Sequence, residues 1–215
     1  MPITLHNYFR SSTSYRVRIA LALKGIEYEY VAHHLRHGGH KEEAFLSVNP
    51  QGLVPSIVWE DGTVLSQSLA ILEFIDELVP EPPLLPSDPH GRARVRMLAQ
   101  MVGCDIHPVN NLRVLNALRT RFGADDEAVA QWFRHWVAET FAPMENLLAG
   151  SDATGSFCHG NEPGLADLCL VAQVANNGRF GVDMEPYPTI NRIYDACMEI
   201  PAFVDAAPAN QPDAE

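Results

Sequence analysis

The chain has 215 residues, 47% of them hydrophobic and 20% charged, which suits one or two globular domains with a sizeable core. Its net charge of −12 argues against nucleic acid or an anionic membrane surface as partner, because the average field repels both. No run approaches the ~18 apolar residues of a membrane span, and the start lacks the basic and apolar regions of a secretory signal, so the expected compartment is the cytoplasm.

Ile3, Leu5 and Phe9 alternate with polar neighbours, the pattern of a half-buried strand. From Val17 the apolar positions take helical spacing, with Val17, Ala20 and Leu21 on one face, and Gly25 follows as a terminator. Between strand and helix lies Arg10-Ser11-Ser12-Thr13-Ser14. Its hydroxyls suit a helix cap, and they stand where free N–H groups and the positive end of the helix dipole favour an anion. A thiolate is such an anion. The turn has no cysteine, so a thiol activated there belongs to a bound cofactor.

Residues 27–33 read as a second strand, and HLRHGGHKEEAF as a loop entering a short helix. In NPQGLVPSIVWEDGTVLS a turn precedes Val54-Pro55, a candidate cis bond. A strand at 56–60, an Asp61-Gly62 hairpin turn and a strand at 63–66 follow. SQSLAILEFIDELV places Ile71, Ile75 and Leu78 at helical spacing, with Ser66 or Ser68 near the helix start. These elements make a small α/β sheet domain over residues 1–82, and the proline-rich stretch over 83–90 reads as a stiff linker. Beyond it the pattern is helical, giving a second domain over 91–215. One helix spans about 91–121, with Pro108 kinking or interrupting it, and a second spans 125–149. A third begins at Gly164-Leu165-Ala166-Asp167, a fourth covers 188–199, and the Pro- and Ala-rich tail reads as irregular. Cys104, Cys158, Cys169 and Cys197 follow no CxxC or zinc-ligand spacing and read as reduced core residues, so no metal site is expected.

Four motifs, RSSTSYRVRIALALKG, NPQGLVP, SQSLAI and LADLCL, resemble in order and spacing the zeta class of glutathione transferases, which includes the maleylacetoacetate and maleylpyruvate isomerases. The resemblance covers nearly the whole chain. It implies a thioredoxin-like N-terminal domain, an all-helical C-terminal domain, a homodimer and glutathione as cofactor. It also implies a glutathione-dependent cis–trans isomerisation of a maleyl keto-diacid in aromatic-acid catabolism. There are departures: the third position of the first motif, a cysteine in most members, is Thr13, and Gly164 replaces the usual hydroxyl cap before LAD. CDIHPVNNLRVL and AAPANQPD stand closest to the maleylpyruvate isomerase branch.

The resemblance assigns Ser11 to the sulfur, with Ser12 and Thr13 beside it. It gives Gln67 and Ser68 to the γ-glutamyl carboxylate, the Val54 backbone at a cis Pro55 to the cysteinyl amide, and His40, His107 and Asn111 to the peptide. Lowering a thiol by two units from ~8.5 needs ~2.7 kcal/mol. One charge-assisted hydrogen bond supplies ~1.5–3 kcal/mol and the helix end ~0.3–1, which together suffice. A dicarboxylate substrate calls for cations, and Arg10, Arg113 and Arg179 are the expected clamp, since the guanidinium fork binds carboxylates bidentately. A general conjugating transferase, a non-catalytic glutathione-binding module and a redox enzyme are the alternatives. The arginines argue against the first, retention of Ser11, Gln67 and Ser68 against the second, and the cysteine-free turn against the third.

Overall fold

A computed structural model describes all 215 residues, grouped into two compact units. The first joins Met1–Leu84 to Met198–Glu215; the second is Leu85–Cys197. The tail after 197 thus packs with the sheet unit, which the sequence-based division at 91 did not foresee. No helix is long and apolar enough to cross a membrane.

The first unit holds a four-stranded sheet of β1 (Thr4–Asn7), β2 (Glu29–Ala32), β3 (Ser56–Val58) and β4 (Val64–Ser66) in the order β2-β1-β3-β4. β1 runs parallel to β2 and antiparallel to β3, with Leu5 opposite Tyr30 on one side and Ile57 on the other. Helices α1 (Ser12–Leu23) and α3 (Ser68–Leu78) pack on each other, while α2 (Glu43–Val48) is short. Ile3, Leu5, Val17, Leu21, Ile57, Ile71 and Ile75 form one buried cluster, each worth roughly 1.5–3 kcal/mol in transfer from water.

Helix α1 begins at Ser12, earlier than the apolar periodicity indicates, because Ser11 caps it by accepting the Ser14 N–H at 3.1 Å. It ends as expected: Gly25, at φ +64°, lets the Ile26 N–H reach the Leu21 carbonyl at 2.9 Å. Every residue from Ser12 to Leu21 is buried, Arg16 and Arg18 included. Lys24 closes the base of the unit, donating to Asp76 at 2.7 Å and to the Val79 and Pro82 carbonyls.

Across the sheet from that cluster, His6 Nδ1 and His33 Nε2 share a hydrogen bond of 2.9 Å, and both rings lie against Phe45 of α2. Burial holds His6 below its ordinary 6.5, helped by the charge of His33 and opposed by Glu29. Burial also lowers His33, helped by His40 and opposed by the Gly39 backbone and by Glu42. The folded state therefore binds fewer protons than the unfolded state in this range. Stability is fully present above about pH 6.5 and is lost as pH falls through the depressed values. Tm is expected to fall from pH 7.5 to pH 5.5, and replacing His33 with Gln is expected to flatten that slope; thermal melts across this range check it.

The second unit is helical: α4 (Pro89–Gln100), α5 (His107–Asn110), α6 (Leu112–Phe122), α7 (Asp126–Ala149), α8 (Leu165–Asn177) and α9 (Pro188–Met198, ending at the unit's edge). The single helix expected over 91–121 is three pieces. A widened π turn at Met101–Ile106 precedes Pro108, easing the clash of its ring with the preceding turn. The break comes at Asn111, whose extended backbone and side chain start α6 by accepting the Arg113 N–H at 3.1 Å. Gly164 is the cap of α8, as expected. Half of the capping box remains: buried Asp167 accepts the Gly164 N–H at 2.9 Å and the Cys158 N–H at 2.8 Å, while its own N–H, with no hydroxyl to meet it, donates to the Gly164 carbonyl at 2.9 Å.

The Pro- and Ala-rich tail from 206 on is irregular, as expected, apart from one short turn, yet it packs with the sheet unit. Helix α10 (Pro201–Asp205) packs on α1, and a 3-10 turn follows at Pro208–Asn210.

Candidate active site

In the sheet unit the Ser11 Oγ lies 2.9 Å from the Thr13 Oγ1, and Thr13 donates its own proton to the Val54 carbonyl at 3.2 Å. Thr13 has one proton, so Ser11 is the donor between the two hydroxyls. Ser11 thus offers a movable proton at the N-terminus of α1, beside the dipole's positive end. Ser12 begins the helix and is buried. Val54-Pro55 is cis, as the sequence reading allowed. Arg10 is half-buried, its guanidinium 5.2 Å from the centre of the Phe9 ring.

The second cluster is at the start of α3. Neither serine caps this helix. Gln67 occupies the cap position at φ +73° with no side-chain cap bond, so the first-turn N–H groups are left uncapped by any side chain. Its Nε2 donates to Gln51 Oε1 at 3.0 Å, tying the helix start to the loop before Val54. Asn49 builds that loop, donating to the Leu53 carbonyl at 2.8 Å and the Ser56 Oγ at 3.0 Å. Ser68 is buried and its Oγ accepts from Arg16 Nη1 at 3.2 Å. Arg16 is 1% exposed, and its Nε and Nη2 find no hydrogen-bond acceptor. A hydroxyl that accepts from a guanidinium keeps its own proton to give away. His40 lies against the same loop: a Cβ on Gly52, at φ +61°, would stand 3.0 Å from the His40 carbonyl. Burial, helped by Lys41, lowers the His40 pKa, and its Nδ1 is buried without a partner.

The helical unit holds the remaining candidates. Asn111 Nδ2 lies 3.3 Å from His107 Nε2, and Arg113 follows, exposed, on the first turn of α6. Arg179 lies in the 3-10 turn Gly178–Phe180, exposed, donating to Asn176 Oδ1 at 3.0 Å. One turn of α7 holds both segments. Trp132 Nε1 donates to the Val109 carbonyl at 3.0 Å and the Phe133 carbonyl accepts from Asn110 at 3.2 Å. The Phe133 ring stacks on Phe180 with centres 3.8 Å apart, and Arg134 donates to the Phe180 carbonyl at 3.0 Å.

The structure thus groups Ser11, Thr13 and Val54 in one cluster and places Gln67 and Ser68 in a second cluster of the same unit, with His107, Asn111 and Arg113 neighbours in the other unit. The sequence reading missed Gln51 and the α7 turn, and it gave Arg16 no part in the site. The available signal for Arg16 was the pair of arginines in RVRIALAL, cations in a helix apolar on several sides.

The uncapped N–H groups at α3, the orphaned Arg16 nitrogens and the unpartnered His40 Nδ1 suit an anionic peptide carrying several hydrogen-bonding groups. Comparison with known proteins agrees. Residues 10–78 match the glutathione S-transferase N-terminal domain family. The chain is 50% identical over 210 residues to a maleylpyruvate isomerase of a Ralstonia species, covering 97% of this chain and 98% of that one. A holo structure of maleylpyruvate isomerase, a bacterial zeta-class glutathione transferase, superposes with a TM-score of 0.96 at 50% identity over 99% of this chain and 100% of its own. A maleylacetoacetate isomerase of Anaeromyxobacter dehalogenans, with dicarboxyethyl glutathione and citrate in its active site, superposes with a TM-score of 0.87. It is 42% identical, over 100% of this chain and 98% of its own. With identity running the length of both partners, the chain belongs to the zeta class of glutathione transferases, among the maleylpyruvate and maleylacetoacetate isomerases.

Proposed function

We propose that this chain is a glutathione-dependent cis–trans isomerase of a maleyl keto-diacid, maleylpyruvate or maleylacetoacetate. The observation that carries the reading is Ser11, a helix cap with a proton to redirect and no cysteine beside it. When bound, glutathione supplies the sulfur whose reversible addition to the cis double bond frees that bond to rotate, and the tripeptide returns unchanged.

The residues divide the work. Ser11 swings its proton from Thr13 to the sulfur and, with the α1 N-terminus, holds it ionised. Thr13, its own proton committed to the Val54 carbonyl, accepts the Ser11 proton until the sulfur takes its place. Ser68 and the first N–H groups of α3 take the γ-glutamyl carboxylate, with Arg16 behind Ser68 supplying positive charge. The Val54 backbone pairs with the cysteinyl amide, and His40, His107 and Asn111 bind the rest of the peptide. Arg10, Arg113 and Arg179 take the substrate carboxylates and the negative charge that develops on its keto oxygen. The dicarboxyethyl glutathione and citrate in the active site of the Anaeromyxobacter protein support a glutathione site that also takes carboxylates.

The test is to mix the protein with maleylpyruvate or maleylacetoacetate, with and without glutathione, and follow the ultraviolet change. Loss of the cis isomer that needs glutathione without consuming it is expected. Stoichiometric consumption indicates a conjugating transferase, and no turnover a binding module. Replacing Arg16 with Met is expected to weaken glutathione binding about tenfold, the worth of one hydrogen bond to a charged group. Tm should hold or rise, because a buried cation with two unmet nitrogens is removed. Calorimetry and thermal melts check the pair of results. A homodimer in the cytoplasm, which the family implies, is tested by light scattering at twice the monomer mass and by cell fractionation.

A further inference from the structure

We propose that Asp213, in the ordered tail, acts with buried Arg18 as a positioning residue that holds the Phe9-Arg10-Ser11 turn, a role that rests on the function given to that turn above. The Phe9 residue is gripped at both ends. Its N–H donates to Asp213 Oδ2 at 3.2 Å, and its carbonyl accepts from Arg18 Nη2 at 3.0 Å. Arg18 Nη1 also reaches the Asn7 Oδ1 at 3.0 Å and the Tyr8 carbonyl at 3.4 Å. The Tyr8 carbonyl in turn accepts the Ser11 N–H at 3.0 Å. Phe9, 3% exposed, carries the Arg10 guanidinium on its ring. Fixing Phe9 therefore fixes both the arginine before the thiol turn and the backbone that leads into Ser11.

The tail is built for this grip. Arg18 Nε donates to the Ala206 carbonyl at 3.0 Å, and Gln211 donates back to the Asp205 carbonyl at 2.8 Å and the Ala207 carbonyl at 3.0 Å. Asn210 donates to the Val204 carbonyl at 2.7 Å. Asp213 Oδ1 accepts from the Tyr30 hydroxyl on β2, so one carboxylate joins the tail to a strand and to the turn. Burial opposes the Arg18 charge, and Asp213 is the one carboxylate among the groups that offset it. Arg18 is 1% exposed and sits on the helix that Ser11 caps. A bare backbone N–H on one side and a less compensated guanidinium on the other would both follow from losing Asp213.

The test compares Asp213→Ala with Glu215→Ala, a tail carboxylate that contacts His34 and not the turn. Two readouts serve. One is amide hydrogen exchange over residues 9–14 in the protein without glutathione. The other is the pH titration of the glutathione thiolate absorbance in the binary complex. Asp213→Ala is expected to exchange about tenfold faster over the turn and to raise the thiol midpoint by about one unit, the scale of one lost charge-assisted bond. The KM for the keto-diacid is expected to rise more than kcat falls, because Arg10 is displaced. Glu215→Ala is expected to match the parent in all three. If Asp213→Ala does not fold, Asp213→Asn, which keeps one acceptor and removes the charge, is expected to move both readouts in the same direction. Unmoved exchange and titration in the folded variant overturn the proposal, as does an equal effect from Glu215→Ala. A parent protein that titrates glutathione but isomerises nothing overturns the functional reading instead, and the exchange result still decides the tail.

Discussion

Replacing Ser11 with Ala is expected to lower kcat/KM for the keto-diacid about 100-fold while leaving the fold intact. The hydroxyl is the one side-chain donor given to the sulfur, and a hydrogen bond to an ion is worth ~1.5–3 kcal/mol, or about 10- to 100-fold. The upper figure applies because the alanine removes the cap and the donor together. The accompanying loss of stability is about 1 kcal/mol, a few degrees in Tm for a chain of this size. The two effects separate by measurement. The glutathione thiol midpoint should rise by one to two units, seen in its ultraviolet titration, and the rate loss should shrink at high pH, where the thiol ionises unaided. Thr13→Ala is the control. It removes the hydroxyl that Ser11 points to in the structure, so Ser11 loses an orienting partner and keeps its proton. A loss under about threefold is expected there. A Thr13 variant as damaged as the Ser11 variant would transfer the sulfur to threonine.

Replacing Arg179 with Ala is expected to cost about 100-fold in kcat/KM for the keto-diacid and less than twofold in glutathione affinity. A bidentate pair of charged bonds to a carboxylate is lost, and the charge developing on the keto oxygen goes unmet. Arg179→Lys is expected to recover only part of this, since an ammonium keeps the charge without the planar fork. Arg113→Ala should cost less, because Arg113 lacks the contacts with Asn176 and the Phe180 ring that place the equally exposed Arg179. Steady-state kinetics with calorimetry on glutathione check the split. Equal losses for both ligands would move Arg179 from the substrate to the peptide or to the fold. Its neighbours argue for a placed side chain: Asn176 accepts from it, and the next residue, Phe180, is fixed by a ring stack and by Arg134.

Most of the sheet unit could be read in the sequence because its signals are local. Alternation marked β1, Asp61-Gly62 marked the hairpin, and Gly25 marked the end of α1. The start of α1 was hidden by its own polar first turn, where Ser12 to Arg16 are buried by tertiary contacts that periodicity does not report. Pro108 was rightly seen as a disturbance. Its accommodation by a widened turn depends on residues on both sides, and the break fell at Asn111 because a side-chain cap was available there. The tail looked irregular because proline and alanine carry no pattern, and its packing comes from partners such as Phe9 and Arg18, about two hundred positions away in sequence. The same reason hid the role of Asp213. The candidate site was legible chiefly through its motifs, while Gln51 and the α7 turn, which hold the motif residues in place, carry no motif of their own.

The turn of α7 at Trp132–Arg134 has one further consequence. The segments bearing His107 and Arg179 share this footing. A change at this turn of α7 is therefore expected to reach both segments at once, whereas a change at Arg113 or Arg179 reaches one. Phe133, buried and stacked on Phe180, is thus a position where a smaller aliphatic residue is expected to loosen the Arg179 segment through the cavity it leaves, with the sequence of that segment unchanged.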